Sequence, residues 1–363
     1  MPITVKRSAS SYHKSNPQPT DSPVGAYGAK LMAAQNAAHA SSLIGSSGTG
    51  FKNHIINGDF RIWQRGTTGA TNTTSGVDTA DRFHVNKSSG TGFGSRVTIT
   101  NAEKSVPNNS GYAYKLTCTI GNNNMGVHQK VENIRPFLGK YMTLSFWAKG
   151  TNPGGGHFKS SWIRSYDNGT NNGEWTVADN IVLNEEWQFY SFTTKIPNKI
   201  HSETIDDDKS HLWCDILRQP GDDTSTNPWE IYLANVQLEY GTQPTEFEFR
   251  PKGVELALCQ RFYWKIASNT YRRINGYKRH DSNCHFELQC PVPMRIAPAP
   301  TILASGTFTD FQSNFNTTQS SPTISEWNTD TGMGLLVLSS TWSDTHKAVP
   351  SWEGYSMEFD SEF

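Results

Sequence analysis

The sequence is poor in charge. Of 363 residues only 18% are Asp, Glu, Lys or Arg, and the formal net charge is -1. No basic field is present to meet a phosphate backbone, so nucleic acid is not expected as a partner. Long apolar runs are missing too. No stretch approaches the about 18 apolar residues of a spanning helix, and no membrane insertion is expected. The first residues, MPITVKRSASSYHK, lack an apolar h-region, so no ordinary secretory signal is read there. No GxSxG, P-loop or HExxH signature occurs. Cysteine is scarce and odd in number: Cys118, Cys214, Cys259, Cys284 and Cys290, with no CxxC pair. Such a set does not read as a disulfide framework. Cys284 and Cys290 fall in one strand-like run, roughly 20 Å apart at the usual rise, beyond bridging distance. Reduced, buried thiols of a protein assembled in cytosol are the expectation.

What is abundant is turn residues and rings. Gly, Asn, Ser and Thr are frequent, aromatics make up 12%, and Trp occurs 11 times. That is the profile of an all-β protein with many turns. Strand-like runs cover Ser95 to Thr100, Tyr112 to Ile120, Gly126 to Val131, Tyr141 to Ala148, His157 to Tyr166, Trp187 to Lys195, His211 to Ile216 and Ile231 to Tyr240. Polar turns separate them, with no clear crossover helix, which implies a two-sheet jelly-roll β-sandwich over residues 51–250. In the last strand Tyr232, Ala234, Val236, Leu238 and Tyr240 share the more apolar parity, so that parity is predicted to face the core.

Beyond Gly241 to Pro244 the chain stays extended through Arg250, because a residue before proline avoids the helical region. From Val254 the period shifts to three and four, giving a short junction helix with Pro251 near its start. Residues 251–363 then form a small C-terminal β domain, with strands expected at Tyr271 to Tyr277, Cys284 to Val292, Thr307 to Phe311, Gly334 to Leu338 and Gly354 to Glu358. The proline-punctuated CPVPMRIAPAPTI run, from Cys290 to Ile302, must lie at an edge or in a loop. About 100 residues make this second β-sandwich marginal alone, and open edges would favour self-association. Residues 1–50 differ: a polar, proline-bearing start, an alanine-rich stretch with a thin apolar stripe, and a Gly/Ser hinge. An extended or helical attachment arm and a disordered tail are both open for them.

Several blocks resemble a family of bacteriophage virion proteins, mostly tail fibres or appendages. They are NGDFRIWQRG with TADRF, YMTLSFWAKG, EWQFYSFTTKIP, YLANVQLEYGTQPTEFEFRP, ELALCQRFYWK, CPVPMRIAPAPTI and the closing GYSMEFDSEF. They run in order from about residue 53 to the end; residues 1–50 lie outside them. The resemblance implies a jelly roll similar to carbohydrate-binding modules, a small β domain after it, and a homotrimer. It implies a non-enzymatic structural protein of the virion, assembled in host cytoplasm, docked on a phage tail or head protein through residues 1–50. Host-surface glycan is the expected ligand, bound weakly at each copy and summed by avidity. A head decoration or cement protein, and a polysaccharide depolymerase, are the alternatives.

Sugar recognition needs aromatic faces rimmed by hydrogen-bonding groups. Phe158, Trp162, Arg164 and Tyr166 share one strand parity and are the predicted ligand face. Trp175, Trp187, Trp213 and Trp229 are further candidates, each weighed against a place in the core. By resemblance to the two ends of such modules, Asp59 and Glu239 are candidate oxygen ligands for a structural calcium, with Asp59 capping a turn as the simpler reading. No other cofactor is expected. Asp206, Asp207 and Asp208 read as a solvated loop rather than catalytic carboxylates. His280, Cys284, His285 and Cys290 match no common zinc spacing.

Overall fold

A computed structural model describes residues 51–362 except 70–74, 78–79, 87–89, 101–105, 107–109, 122–123, 166–172, 199–204, 207, 267–272, 281–282, 305–306, 310–313, 316–322, 329–330, 340–350 and 354–355. The predicted arm at 1–50, Tyr166 and Asp207 lie outside the described residues, and so do the side chains of Arg164, Trp175, His280 and Cys284.

The sandwich is built from β1 (Gly76–Val77), β2 (His84–Asn86), β3 (Thr91–Thr98), β4 (Tyr112–Ile120), β5 (Gly126–Glu132), β6 (Tyr141–Gly150), β7 (Phe158–Ser165), β8 (Gly173–Ile181), β9 (Gln188–Lys195), β10 (His211–Arg218) and β11 (Trp229–Tyr240). Among the described residues one sheet runs β1-β2-β5-β10-β7-β8 and the other β3-β4-β11-β6-β9. Neighbouring strands in both are antiparallel. The chain passes repeatedly from one sheet to the other, so the two sheets make the jelly-roll sandwich that the strand pattern predicts.

Between the sheets lies one large apolar core, with Tyr114, Leu116, Leu144, Phe146, Phe158, Trp162, Leu212 and Ile231 among its fully buried members. Alternation explains most of it. Along β6, Met142, Leu144, Phe146 and Ala148 are buried in the core, and the residues between them face the other way. The predicted strands are recovered with small shifts at their ends. β8 escaped prediction because GEWTVADNI has little apolar alternation. It lies at a sheet edge and pairs irregularly with β7, with register shifts at Ser160.

β11 corrects the single-parity reading. Ala234 pairs with Trp147, yet Gln237 pairs with Ser145, so β11 carries one residue more than β6 over the same span. Asn235 adopts a positive φ of 50° in this β-bulge. Before the bulge Ile231 and Leu233 enter the core; after it Val236 and Leu238 do. Tyr232 and Ala234 therefore fall on the outer face, in a second cluster with Trp187, Trp147 and Val106. Residues from the start of the domain hold the bulge. Val236 N donates to Gly58 O at 2.9 Å, and Asn53 Nδ2 donates to Val236 O at 3.0 Å. A Cβ on Gly58 would run into that Val236 oxygen, so glycine is required here by close approach.

Helix α1 (Lys252–Gln260) comes next, with Pro251 as its N-cap. Its buried residues are Glu255 and Cys259, whereas Val254, on the apolar stripe that the periodicity picked, is 36% exposed. The reason is an ion pair: Arg250 Nη1 lies 3.2 Å from Glu255, which turns that carboxylate inward. The C-terminal part contains β12 (Tyr263–Ile266), β13 (Arg273–His280), β14 (Asn283–Gln289), β15 (Ala299–Ala304), β16 (Thr307–Thr309), β17 (Asn314–Phe315), β18 (Thr323–Asn328), β19 (Met333–Ser339), β20 (Ser351–Glu353) and β21 (Ser356–Asp360). They form sheets ordered β12-β21-β15 and β17-β16-β20-β13-β14-β19-β18. Pro300 sits on β15, at the edge of the first, where the missing N–H is tolerated.

Candidate functional site

The predicted ligand face is not on the surface. Phe158 and Trp162 do share one side of β7, but that side faces the core, and both are 0% exposed. Phe158 packs edge-on against Trp229 with ring centroids 5.1 Å apart. Parity grouped the rings correctly; it could not say which side was inside. Trp229 is also buried, its Nε1 donating to Gln219 Oε1 at 3.2 Å. Trp213 is half-buried but occupied: His128 stacks on it at 4.1 Å and its Nε1 donates to Asp215 at 2.9 Å. Trp187 is buried in the outer cluster.

The two candidate calcium ligands are used internally. Asp59 is buried and ion-paired with Arg61. Burial pushes its carboxyl up to about 6 despite that guanidinium. Glu239 accepts Thr245 N at 2.8 Å, Thr245 Oγ1 at 2.6 Å and Gln237 Nε2 at 2.8 Å, so both of its oxygens are occupied. These contacts give both carboxylates partners within the protein. Among the described residues no three His, Cys, Asp or Glu side chains converge as a metal site. Asp206 organises a turn: its carboxylate accepts Asp208 N at 3.1 Å and pairs with Lys209 at 2.8 Å.

Glu239 and Gln237 serve a different purpose. Past β11 the chain folds back over the outer face of the five-stranded sheet as a strap, residues 242–250. Glu239 grips Thr245, and Gln237 Oε1 accepts Glu248 N at 2.8 Å. The strap is tied from the other side as well, because Lys52 N and Asn53 N both donate to the Glu248 carboxylate at 2.9 Å.

Between the strap and the sheet is a cleft of about 220 Å³, lined by Ser145, Trp147, Phe189, Asn235, Thr245, Glu246 and Phe247. Each lining residue has a local cause. Ser145 and Trp147 stand on the outward parity of β6. Phe189 is the cross-strand partner of Trp147 on β9, their ring centroids 5.6 Å apart and tilted by 54°. Asn235 reaches the floor because the bulge lifts it there. Phe189 is 47% exposed, whereas Ser145 and Asn235 are 3% and 4% exposed. The result is an open aromatic wall above a recessed hydroxyl and amide, with Glu246 at the mouth. Along the same face Lys149 Nζ lies 5.3 Å from the Trp187 ring centre and 5.2 Å from that of Tyr232. A wall of this kind can stack on the C–H face of a ring while the floor meets its hydroxyls.

Sequence reading missed these residues, although their signal was present. In YMTLSFWAKG, Trp147 shares parity with Thr143, Ser145 and Lys149, not with the apolar set. In QFYSFTTK, Phe189 shares parity with Ser191 and Thr193. An aromatic on the polar parity of a strand is the mark of an outward ring.

No protein-family model matches the chain, and no curated protein matches it. Solved structures with a similar arrangement include the family 11 carbohydrate-binding module of Lic26A-Cel5E from Clostridium thermocellum. It is 14% identical, with a TM-score of 0.29, over 53% of this chain and 96% of that one. TmCBM61, solved with β-1,4-galactotriose, is 13% identical with a TM-score of 0.25, over 51% and 97%. The Stig cyclase Fisc from Fischerella sp. TAU is 13% identical with a TM-score of 0.31, over 53% and 97%. A sugar binder and a cyclase appear side by side, so similarity of this grade carries nothing about function, which has to be argued from the site.

Proposed function

We propose that this chain is a non-enzymatic structural protein of a bacteriophage virion, a short tail fibre whose jelly roll holds host-surface glycan in the cleft beside the strap. The observation that carries the binding reading is the wall of exposed Phe189 and half-buried Trp147 over the recessed Ser145 and Asn235. A ring pair beside recessed polar groups is the combination a sugar-sized ligand can cover. Hydrolysis of glycosides in its usual form needs two facing carboxylates, whereas Glu246 is the one carboxylate among the residues lining the cleft. The virion role rests on the ordered sequence blocks from residue 53 to the end. In that role residues 1–50 dock on the particle, and three copies together give weak single sites their avidity.

The direct test measures binding of the purified protein to isolated host-surface polysaccharide. Phe189→Ala should weaken it at least tenfold with an unchanged melting temperature. Equal binding by that variant would overturn the site, and release of reducing ends by the wild type would overturn the non-enzymatic reading. Deleting residues 2–50 should leave a folded protein that no longer joins particles. A monomeric mass at micromolar concentration would argue against the trimer.

A further inference from the structure

We infer that the cleft seats one uncharged pyranose ring, a chain end or a side branch, and turns away acidic sugars. This rests on the glycan reading just given. Three observations set the size of the ligand. The cleft holds about 220 Å³, below the about 300–1,000 Å³ typical of pockets for drug-sized ligands. On one side it is closed by the strap, which is anchored at Glu239, Gln237 and Glu248 and so cannot lift without breaking partly buried hydrogen bonds. On the other side the face is filled by the cluster of Trp187, Ala234 and Val106, all buried. The strap and that cluster block a polysaccharide from running between them along the sheet, so a ring enters from the mouth and the rest of the chain stays outside.

The lining sets the charge. Ser145 and Asn235 bring neutral polar groups to the floor, Thr245 is already bonded to Glu239 and Lys52, the rings give apolar faces, and Glu246 contributes the one ionisable group of the lining. Lys149 belongs to the neighbouring part of the face, where it lies over Trp187 and Tyr232. A uronate carboxylate in the cleft would meet Glu246; the cation beside it, Lys52, is not among the lining residues and has its ammonium bonded to Thr245 Oγ1 at 2.7 Å and to Glu246 O. Glu246 is exposed, and at about 4 Å like charges screened by bulk water cost roughly three- to tenfold in affinity at low salt.

The experiment is calorimetric titration of the full chain at low salt. The probes are the methyl glycosides of glucose, galactose and mannose, the methyl glycosides of glucuronate and galacturonate, and a trisaccharide ending in the best neutral ring. At least one neutral glycoside should bind. The trisaccharide should gain no more than about threefold over it, and the matching uronide should bind roughly three- to tenfold more weakly. Glu246→Gln should close that gap. Uronides that bind as well as neutral sugars, or a gap that persists in Glu246→Gln, would overturn the charge rule. If host polysaccharide binds while no methyl glycoside does, the single-ring inference fails and the glycan reading stands. If neither binds, both fail.

Discussion

Arg250 and Glu255 bind one another across the entrance to helix α1, and they tie together both ends of the sandwich. Arg250 Nη1 donates to both Glu255 oxygens, at 3.2 and 3.3 Å, and to Ile55 O at 3.3 Å. Its Nη2 reaches Asn53 O and its Nε reaches Glu248 at 3.3 Å. Glu255 in turn accepts the backbone N–H of Asn57. One guanidinium therefore satisfies carbonyls from the first residues of the domain and carboxylates from the strap and the helix. Removing one partner of such a buried pair strands the other's charge, at a cost of about 3–5 kcal/mol. Arg250→Ala and Glu255→Ala should each lower stability by that order, measured by urea denaturation. The double variant should lose much less than the sum. Additive losses would mean that the pair is not coupled.

Trp162 and Phe189 should behave in opposite ways. Trp162 is fully buried in the main core, so Trp162→Ala should cost about 3–5 kcal/mol and expose the fold to aggregation. Phe189 is nearly half exposed, and Phe189→Ala should stay within about 0.5 kcal/mol. Melting curves of the two variants decide this before any ligand is identified.

Acid should weaken the fold between about pH 6.5 and 4. Burial pushes His54 and His211 down to about 4, and it lowers His84 and His128 as well. The unfolded chain takes up protons on these histidines near 6.5, before the folded chain does, so stability falls as pH falls through that window. Asp59, raised to about 6, and Asp81, also raised, act in the opposite sense, since the folded state gains their protons first. Four histidines against two aspartates leave a net loss. Below about pH 4.5 a further loss sets in. Glu362 is buried; beside Arg82, His84 and Arg65 its carboxyl is nevertheless held down at about 2, so its stabilisation disappears as pH approaches that value. Urea midpoints at pH 7, 5.5 and 4.5 should decrease in that order; a flat or rising series would contradict the histidine account.

The thiols of Cys118, Cys214, Cys259 and Cys290 are all buried. Burial pushes Cys118 and Cys290 up to about 12 and the other two well above the usual thiol value. Thiolate is the reactive form, so none of the four should react with iodoacetamide in the native protein at pH 8. All should react once urea is added. Mass spectrometry of labelled peptides reads this directly, and native labelling at Cys214 or Cys259 would show that the core opens.

The sequence blocks that stand out along the chain meet in space, and that shows what they carry. Gln64 Nε2 donates to Tyr263 O at 2.8 Å, and the Arg65 guanidinium lies 3.5 Å from the Tyr263 ring centre and 3.0 Å from Asp360. Arg82 covers the Phe262 ring at 3.5 Å and pairs with Glu362. NGDFRIWQRG, TADRF, ELALCQRFYW and DSEF are thus one joint between the sandwich and the C-terminal strands. The cleft draws on the other blocks: Ser145 and Trp147 of YMTLSFWAKG, Phe189 of EWQFYSFTTKIP, and Asn235, Thr245, Glu246 and Phe247 of YLANVQLEYGTQPTEFEFRP.

By itself the sequence determined the class of fold, most strand positions and the helix after Pro251. Those arise from local periodicity and from turn and proline chemistry, which act over a few residues. Sidedness was decided only in three dimensions. The alternation along β7 groups Phe158 with Trp162 whichever sheet face is buried, and packing against Trp229 sends them inward. The bulge at Asn235 reverses parity within one strand because Gly58 and Asn53, from the start of the domain, supply its hydrogen bonds. The cleft has the same origin. Ser145, Phe189, Asn235 and Glu246 are far apart in sequence, and they become one surface only when sheet register and the strap bring them together.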